Sequence, residues 1–143
     1  MILGDGKDLQ MIKDSVVQLK LSEDIIFKGF IKNPYPYVQK AKFTTLTSRF
    51  EGFPMVIPES LCLGIPVVSV DCNSGPKEVI RNKYNGLLVE NNNPTSLAQA
   101  FDQMILEDDL YNNCVSNAVL SVEAFSMKNV GKSWDELIKE VLQ

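Results

Sequence analysis

Two acidic residues, Glu51 and Glu59, have seven residues between them and sit where the sequence changes from strand to helix. An apolar run, Phe43 to Leu46, precedes them and a β-branched run, Ile65 to Val70, follows, so the segment reads as strand, loop, helix, strand: one parallel βαβ crossover. Glu51 falls in the loop at the carboxyl end of the first strand, where open α/β sheets place their ligands, and Glu59 falls one to two turns into the helix. A helix N-terminus offers free N–H groups and the positive end of a dipole, which suits a phosphate. At about 1.5 Å rise per residue, Glu59 lies roughly 6–8 Å further along, about the distance from a diphosphate to its ribose. One carboxylate could hold ribose hydroxyls while the other stands beside the group the phosphate leaves behind.

Two glutamates at this spacing also arise by chance, and a glutamate on a helix is commonly a solvated face. Context favours a ligand. Pro58 stands directly before Glu59, in an early turn that tolerates a missing N–H, and Leu61, Cys62 and Leu63 mark the helix as short and largely buried. A charge on such a helix needs a partner. Arg49 fits two roles equally, a contact to a phosphate or a pair with a surface carboxylate.

These residues also carry a resemblance. Ser48-Arg49-Phe50-Glu51-Gly52-Phe53-Pro54, Glu59, Gly64-Ile65-Pro66-Val67-Val68 and Asn85-Gly86-Leu87-Leu88-Val89 resemble the donor-binding half of the retaining family 4 (group 1) glycosyltransferases of GT-B fold, with their E-x7-E signature, over nearly the whole chain. The resemblance implies that Glu51 contacts the donor sugar as the catalytic-site glutamate and that Glu59 holds the nucleotide ribose. It also implies that the N–H groups of Gly52 and Phe53 meet sugar and phosphate, and that Gly29 and Phe30 neighbour the base. Pro54 replaces the commoner glycine and has no N–H to offer.

The expected fold is α/β, a Rossmann-like three-layer sandwich with a mostly parallel sheet, forming one half of a GT-B fold without its first strand. Residues 1–143 make one domain, of ordinary hydrophobic fraction, 45%. A net charge of −4 with no basic run argues against nucleic acid as a partner. No apolar run approaches the ~20 residues that span a bilayer. Cys62, Cys72 and Cys114 lack metal-ligand spacing and read as small core residues in a reducing cytoplasm. Having no histidine excludes Ser-His-Asp and Cys-His catalysis within the chain.

In chain order, Met1-Ile2-Leu3 ends a strand and Gly4-Asp5-Gly6 is a loop. Leu9, Ile12, Val16 and Leu19 form the apolar face of a helix over 7–20, and Ile25 to Phe27 form the next strand. A short helix is expected near Val38 to Ala41, with Tyr35 and Tyr37 as packing residues. The loop Asp71 to Pro76 suits a ligand by position and a plain turn by composition. Lys77 to Arg81 is one helical turn, and Leu87 to Val89 is the last strand. Asn93 and Pro94 start a helix with Leu97, Phe101, Met104 and Ile105 inward. Asp108 or Asp109 caps another, with Leu110, Cys114 and Ala118 inward. Ser126 caps the last, 127–142, whose stripe Val130, Trp134, Leu137, Ile138 and Val141 is most simply core, although the resemblance implies that part of this helix is exposed.

The resemblance further implies what lies outside this sequence: an N-terminal acceptor-binding domain, and a first strand with a Gly-Arg…Lys loop for the diphosphate. In a 3-2-1-4-5-6 order that strand is central, so its neighbours must close up or expose an edge, which leaves association of copies through that edge open. The fragment is expected to be inactive alone. The implied reaction moves a sugar from a nucleotide diphosphate, UDP above all, to an acceptor of bacterial surface polysaccharide, in the cytoplasm or at the inner membrane face. No Asp-x-Asp pair is present to hold a metal, and no cofactor is expected. The alternative is a non-catalytic nucleotide-binding or interaction module of the same fold. A response-regulator-like receiver ranks last, since no acidic cluster follows the first strand.

Overall fold

The β-branched run becomes the middle of a parallel sheet because it can be covered on both faces. A computed structural model describes residues 1–142, in two units that meet between Pro36 and Tyr37. In the second unit, β1 (Thr44–Leu46), β2 (Val67–Asp71) and β3 (Gly86–Glu90) pair in the order β1-β2-β3, all parallel. The register sets Thr44 beside Val67 and Val67 beside Gly86.

Alternation along β2 feeds two cores. Val67 packs with Ile57 and Leu61 of α3 (Val56–Cys62), with Val79 of α4 (Pro76–Val79), and with Ala118 and Val122. Val68 packs on the other face with Leu87, with Ala100 and Met104 of α5 (Pro94–Leu106), and with Cys114 of α6 (Asp108–Ser121). Helices on both faces of a parallel sheet make this unit the expected three-layer α/β arrangement. Gly86 is required where β3 crosses β2. A Cβ there would overlap the Val67 carbonyl oxygen and lie 3.1 Å from both Val67 N and Val67 C.

The two sheet edges differ. The outer edge of β3 is covered by its own chain: the Asn82 side chain accepts the Leu88 N–H at 3.1 Å, and the Lys83 N–H donates to the Gly86 carbonyl at 2.8 Å. Among the described residues β1 has one strand partner, β2.

In the first unit, Ile2 and Phe27 form one parallel bridge rather than a strand pair: the Ile2 N–H donates to Ile26 O at 2.8 Å and the Lys28 N–H to Ile2 O at 3.0 Å. The expected strand at Ile25 to Phe27 is reduced to that bridge. Helix α1 (Leu9–Gln18) buries Val16 alone, and Ile12 and Leu19 are exposed, so its predicted stripe is only partly used. Helix α2 (Tyr35–Val38) starts earlier than the expected 38–41 because the Asn33 side chain accepts the Tyr35 N–H, and Tyr35 is exposed rather than packed.

Caps follow the sequence closely for α5 and for α7 (Met127–Val141). Asn93 accepts the Ser96 N–H and Ser126 accepts the Asn129 N–H. Helix α6 differs: it starts at Asp108 after Glu107, without a side-chain cap, and the two aspartates lie in the first turn, where they favour the dipole. Ile105 is exposed, and Ala100 takes the inward place expected of it. The α7 stripe is a larger correction. Apart from Asn129 every described residue of that helix is exposed, so the stripe is amphipathic but is not core. No helix among the described residues is long and apolar enough to cross a membrane.

Cys72 and Cys114 are buried, but Cys62 faces solvent at the end of α3, contrary to the core reading. Burial pushes the Cys114 thiol above its usual range, and a backbone hydrogen bond at Gly86 partly offsets this. A slow, neutral thiol inside the core should resist alkylation. With a maleimide in native buffer we expect rapid labelling of Cys62 only, and labelling of Cys114 only after denaturation; native labelling of Cys114 would mean that the α5–α6 core opens.

Candidate functional site

Strands β1 and β2 are parallel neighbours, so the loops that leave their carboxyl ends emerge side by side. The first carries Arg49, Glu51, Gly52 and Phe53, and the second runs from Cys72 to Gly75. They are joined. The Ser74 hydroxyl donates to the Glu51 carbonyl oxygen. Gly75, at φ +94, presses against the first loop so closely that a Cβ would lie 2.5 Å from the Pro54 ring and 2.8 Å from Gly52 O. Pro54 is buried, so the residue that departs from the expected glycine is a packing piece that demands a glycine opposite it.

Gly52 and Phe53 are exposed, and among the described residues neither N–H is used in a turn or cap hydrogen bond. Both remain free to meet an anion. Arg49 is exposed with no ion pair among the described residues, which leaves it available to a phosphate. Glu51 is half-buried, its backbone carbonyl tied down and its side chain without an ion-pair partner among the described residues.

Helix α3 follows at once. Glu59 lies in its first turn rather than one to two turns in, because the helix begins only at Val56. It is half-buried between fully packed neighbours, Pro58 and Ser60, and the turn is locked by the Ser60 hydroxyl, 2.7 Å from the Thr44 hydroxyl of β1 and donating to Ile65 O at 3.0 Å. The expectation of a short, largely buried helix holds: Ile57, Pro58, Ser60 and Leu61 are all buried. Its seven residues give only a weak dipole, so the free N–H groups before it matter more for an anion than the helix axis does.

Gly29 and Phe30 belong to the first unit. Gly29 adopts φ +65 and its carbonyl accepts the Gly4 N–H at 2.8 Å, while Phe30 is 79% exposed. The glycine therefore has a turn role of its own, and the phenyl ring is free for a flat partner.

Sequence reasoning left three contributors unassigned: Ser74, Gly75 and Phe125. The first two lie in the polar loop read evenly as ligand contact or plain turn. Phe125, in the 3-10 turn Glu123–Phe125, has its ring centroid 5.3 Å from that of Phe53. Nothing in the local sequence signals that pairing. A separate open cleft of about 490 Å³ against β3, lined by Asn82, Lys83, Gln99 and Asp102 among others, contains none of the predicted site residues. Among the described residues no cluster of acidic or cysteine side chains could hold a metal.

Comparisons with known proteins fit this arrangement. The family model described as "Glycosyl transferases group 1" matches residues 1–120. The chain is 30% identical to the poly(glycerol-phosphate) alpha-glucosyltransferase of Bacillus subtilis, over 99% of this chain and 21% of that protein. It is 34% identical to the N-acetylgalactosamine-N,N'-diacetylbacillosaminyl-diphospho-undecaprenol 4-alpha-N-acetylgalactosaminyltransferase of Campylobacter jejuni, over 92% of this chain and 36% of that one. A mutant of TarM from S. aureus, solved with Fondaparinux, alpha-GlcNAc-glycerol and UDP, superposes with a TM-score of 0.87 at 27% identity, covering 95% of this chain and 28% of its own. The chain thus spans a fifth to under two-fifths of the length of these proteins.

Proposed function

This chain belongs to the group 1 glycosyl transferases, and on that premise we propose that it forms the C-terminal, donor-binding half of a retaining, family 4 transferase that takes a sugar from UDP. One observation carries the reading: two loops at the carboxyl ends of adjacent parallel strands are fastened together, and the first of them leads straight into the turn that bears Glu59. In this proposal Glu59 accepts hydrogen bonds from the ribose hydroxyls. The N–H groups of Gly52 and Phe53 meet the sugar and diphosphate, with Arg49 as a further phosphate contact. Glu51 faces the donor sugar, where a carboxylate stabilises the positive charge that develops as the diphosphate departs. Gly29 and Phe30 border the base.

The UDP in the TarM structure supports the choice of nucleotide, and the activities for which the Bacillus and Campylobacter relatives are named support an acceptor in bacterial surface glycan assembly. Nucleotide sugars place such chemistry in the cytoplasm, with a lipid-linked acceptor at the inner membrane face. The acceptor domain and the cations for the diphosphate belong, in this proposal, to the rest of the whole protein, so the 143-residue chain binds donor without turning it over.

Ligand linkage gives the test. UDP at a hundredfold excess over its Kd should stabilise the chain by about 2.7 kcal/mol, read as a raised Tm. Glu59→Gln should weaken UDP by about tenfold, the value of a hydrogen bond to a charged acceptor. Glu51→Gln should leave UDP affinity unchanged and weaken only the UDP-sugar. An unaltered Tm at millimolar UDP and UDP-sugar would favour the interaction-module reading instead.

A further inference from the structure

The loop at Glu51 to Pro54 has no secondary structure of its own, and chain without ladder hydrogen bonds holds one shape only if something outside it does the holding. Two of its fasteners come from the neighbouring loop, Ser74 and Gly75. A third comes from the far end of the sequence. Phe125 stacks against Phe53 at an interplanar angle of 56°, an offset tilt of the kind aromatic pairs prefer.

Phe125 is itself firmly mounted. Its N–H donates to Val122 O at 2.9 Å, and Val122 is 4% exposed in the core that contains Ile57 and Leu61. On its other side, the Asn129 side chain donates to Glu123 O at 2.9 Å and Ser126 caps α7, so the 3-10 turn is held at both ends. The backbone that bears the ring is thus held on both sides, and the Phe53 ring, 40% exposed, lies against the Phe125 ring, 39% exposed.

We propose that Phe125 is a positioning residue for the donor site: with Ser74 and Gly75 it immobilises Gly52 and Phe53, so that their N–H groups face an incoming diphosphate already ordered. The inference rests on the donor reading for its purpose, but its mechanical content does not. Removing the ring leaves the loop tied on one side only. Donor binding must then order it, and fixing one freed side chain and its backbone weakens binding by roughly tenfold.

At 16.0 kDa the chain suits backbone amide relaxation measurements. Without nucleotide, the Gly52 and Phe53 amides should give order parameters near the rigid value of about 0.85 in the native protein and below about 0.6 in Phe125→Ala. Amides of β2 should keep their native values. Phe125→Tyr keeps the ring and should restore order at Gly52 and Phe53. Should Phe125→Ala destabilise the core, Ser74→Ala gives an independent reading, with a smaller loss confined to the same amides. Unchanged order in Phe125→Ala, loss spread equally into β2, or no rescue by tyrosine would overturn the proposal. UDP titration of the same variants separates the two readings. A native chain that shows the predicted order but binds no UDP defeats the donor assignment, while one that binds UDP equally with and without the Phe125 ring defeats the positioning role.

Discussion

Gly86→Ala should abolish stable folding of the sheet, with an expected loss of about 4 kcal/mol or more against the ~5–15 kcal/mol that domains of this size possess. The added methyl meets main chain, not a side chain that can rotate away. It would overlap Val67 O and sit 3.1 Å from Val67 N and C, at a residue that is 1% exposed on a strand paired on both sides. Moving β2 to make room breaks its register with β1, and moving β3 opens the core at Leu87 and Met104. Urea unfolding followed by circular dichroism gives the measurement. Gly131→Ala is the control, because a Cβ there meets nothing within 4 Å on an exposed helix, and it should stabilise by about 0.5–1 kcal/mol. A midpoint for Gly86→Ala within error of the native one would mean that the β2–β3 pairing is wrong.

Asn85→Ala should remove about 2–4 kcal/mol, a large loss for a polar residue. Its side chain is fully buried, and both amide hydrogens and the carbonyl oxygen are engaged: it accepts the Arg81 N–H at 2.8 Å and donates to Val79 O at 3.0 Å and to the Ser121 hydroxyl at 2.8 Å. The amide therefore ties the end of α4, the turn into β3 and the last turn of α6 together. Truncation leaves the part-buried Arg81 N–H and the buried Val79 carbonyl without this partner in one step. Asn85→Asp discriminates further. A carboxylate there cannot donate to Val79 O and carries an unpaired buried charge, which raises its folded-state pKa above the unfolded one. Its stability deficit relative to the native chain should thus be smaller at pH 4 than at pH 7, growing as pH rises through the unfolded carboxylate range. Equal deficits at both values would show that the site is open to water.

The parts of the fold that the sequence reveals are those where local chemistry and tertiary position agree. Val67, Val68 and Val70 are β-branched and buried, Asn93 and Ser126 are cap residues that cap, and Leu110, Cys114 and Ala118 lie where helical spacing puts them. The misreadings share one cause. A stripe such as Val130, Trp134, Leu137, Ile138 and Val141 records that a helix is two-faced, but not what covers the apolar face, and in this structure nothing described does. Ile12 and Leu19 carry the same stripe signal and are exposed, and Cys62, a residue type common in cores, is exposed as well. The candidate site divides likewise. Glu51 and Glu59 are visible because strand, loop and helix signals are contiguous around them. The partnership of Phe53 with Phe125 is not, because two phenylalanines so distant in sequence carry no periodicity that could relate them.

The contrast between the two sheet margins gives strand addition a preferred side. Asn82 accepts the Leu88 N–H and Lys83 donates to the Gly86 carbonyl, so two main-chain groups on the outer margin of β3 are already taken, whereas among the described residues β1 has no strand partner on its outer margin. A strand added to this sheet therefore meets unpaired N–H and C=O groups more readily at β1 than at β3.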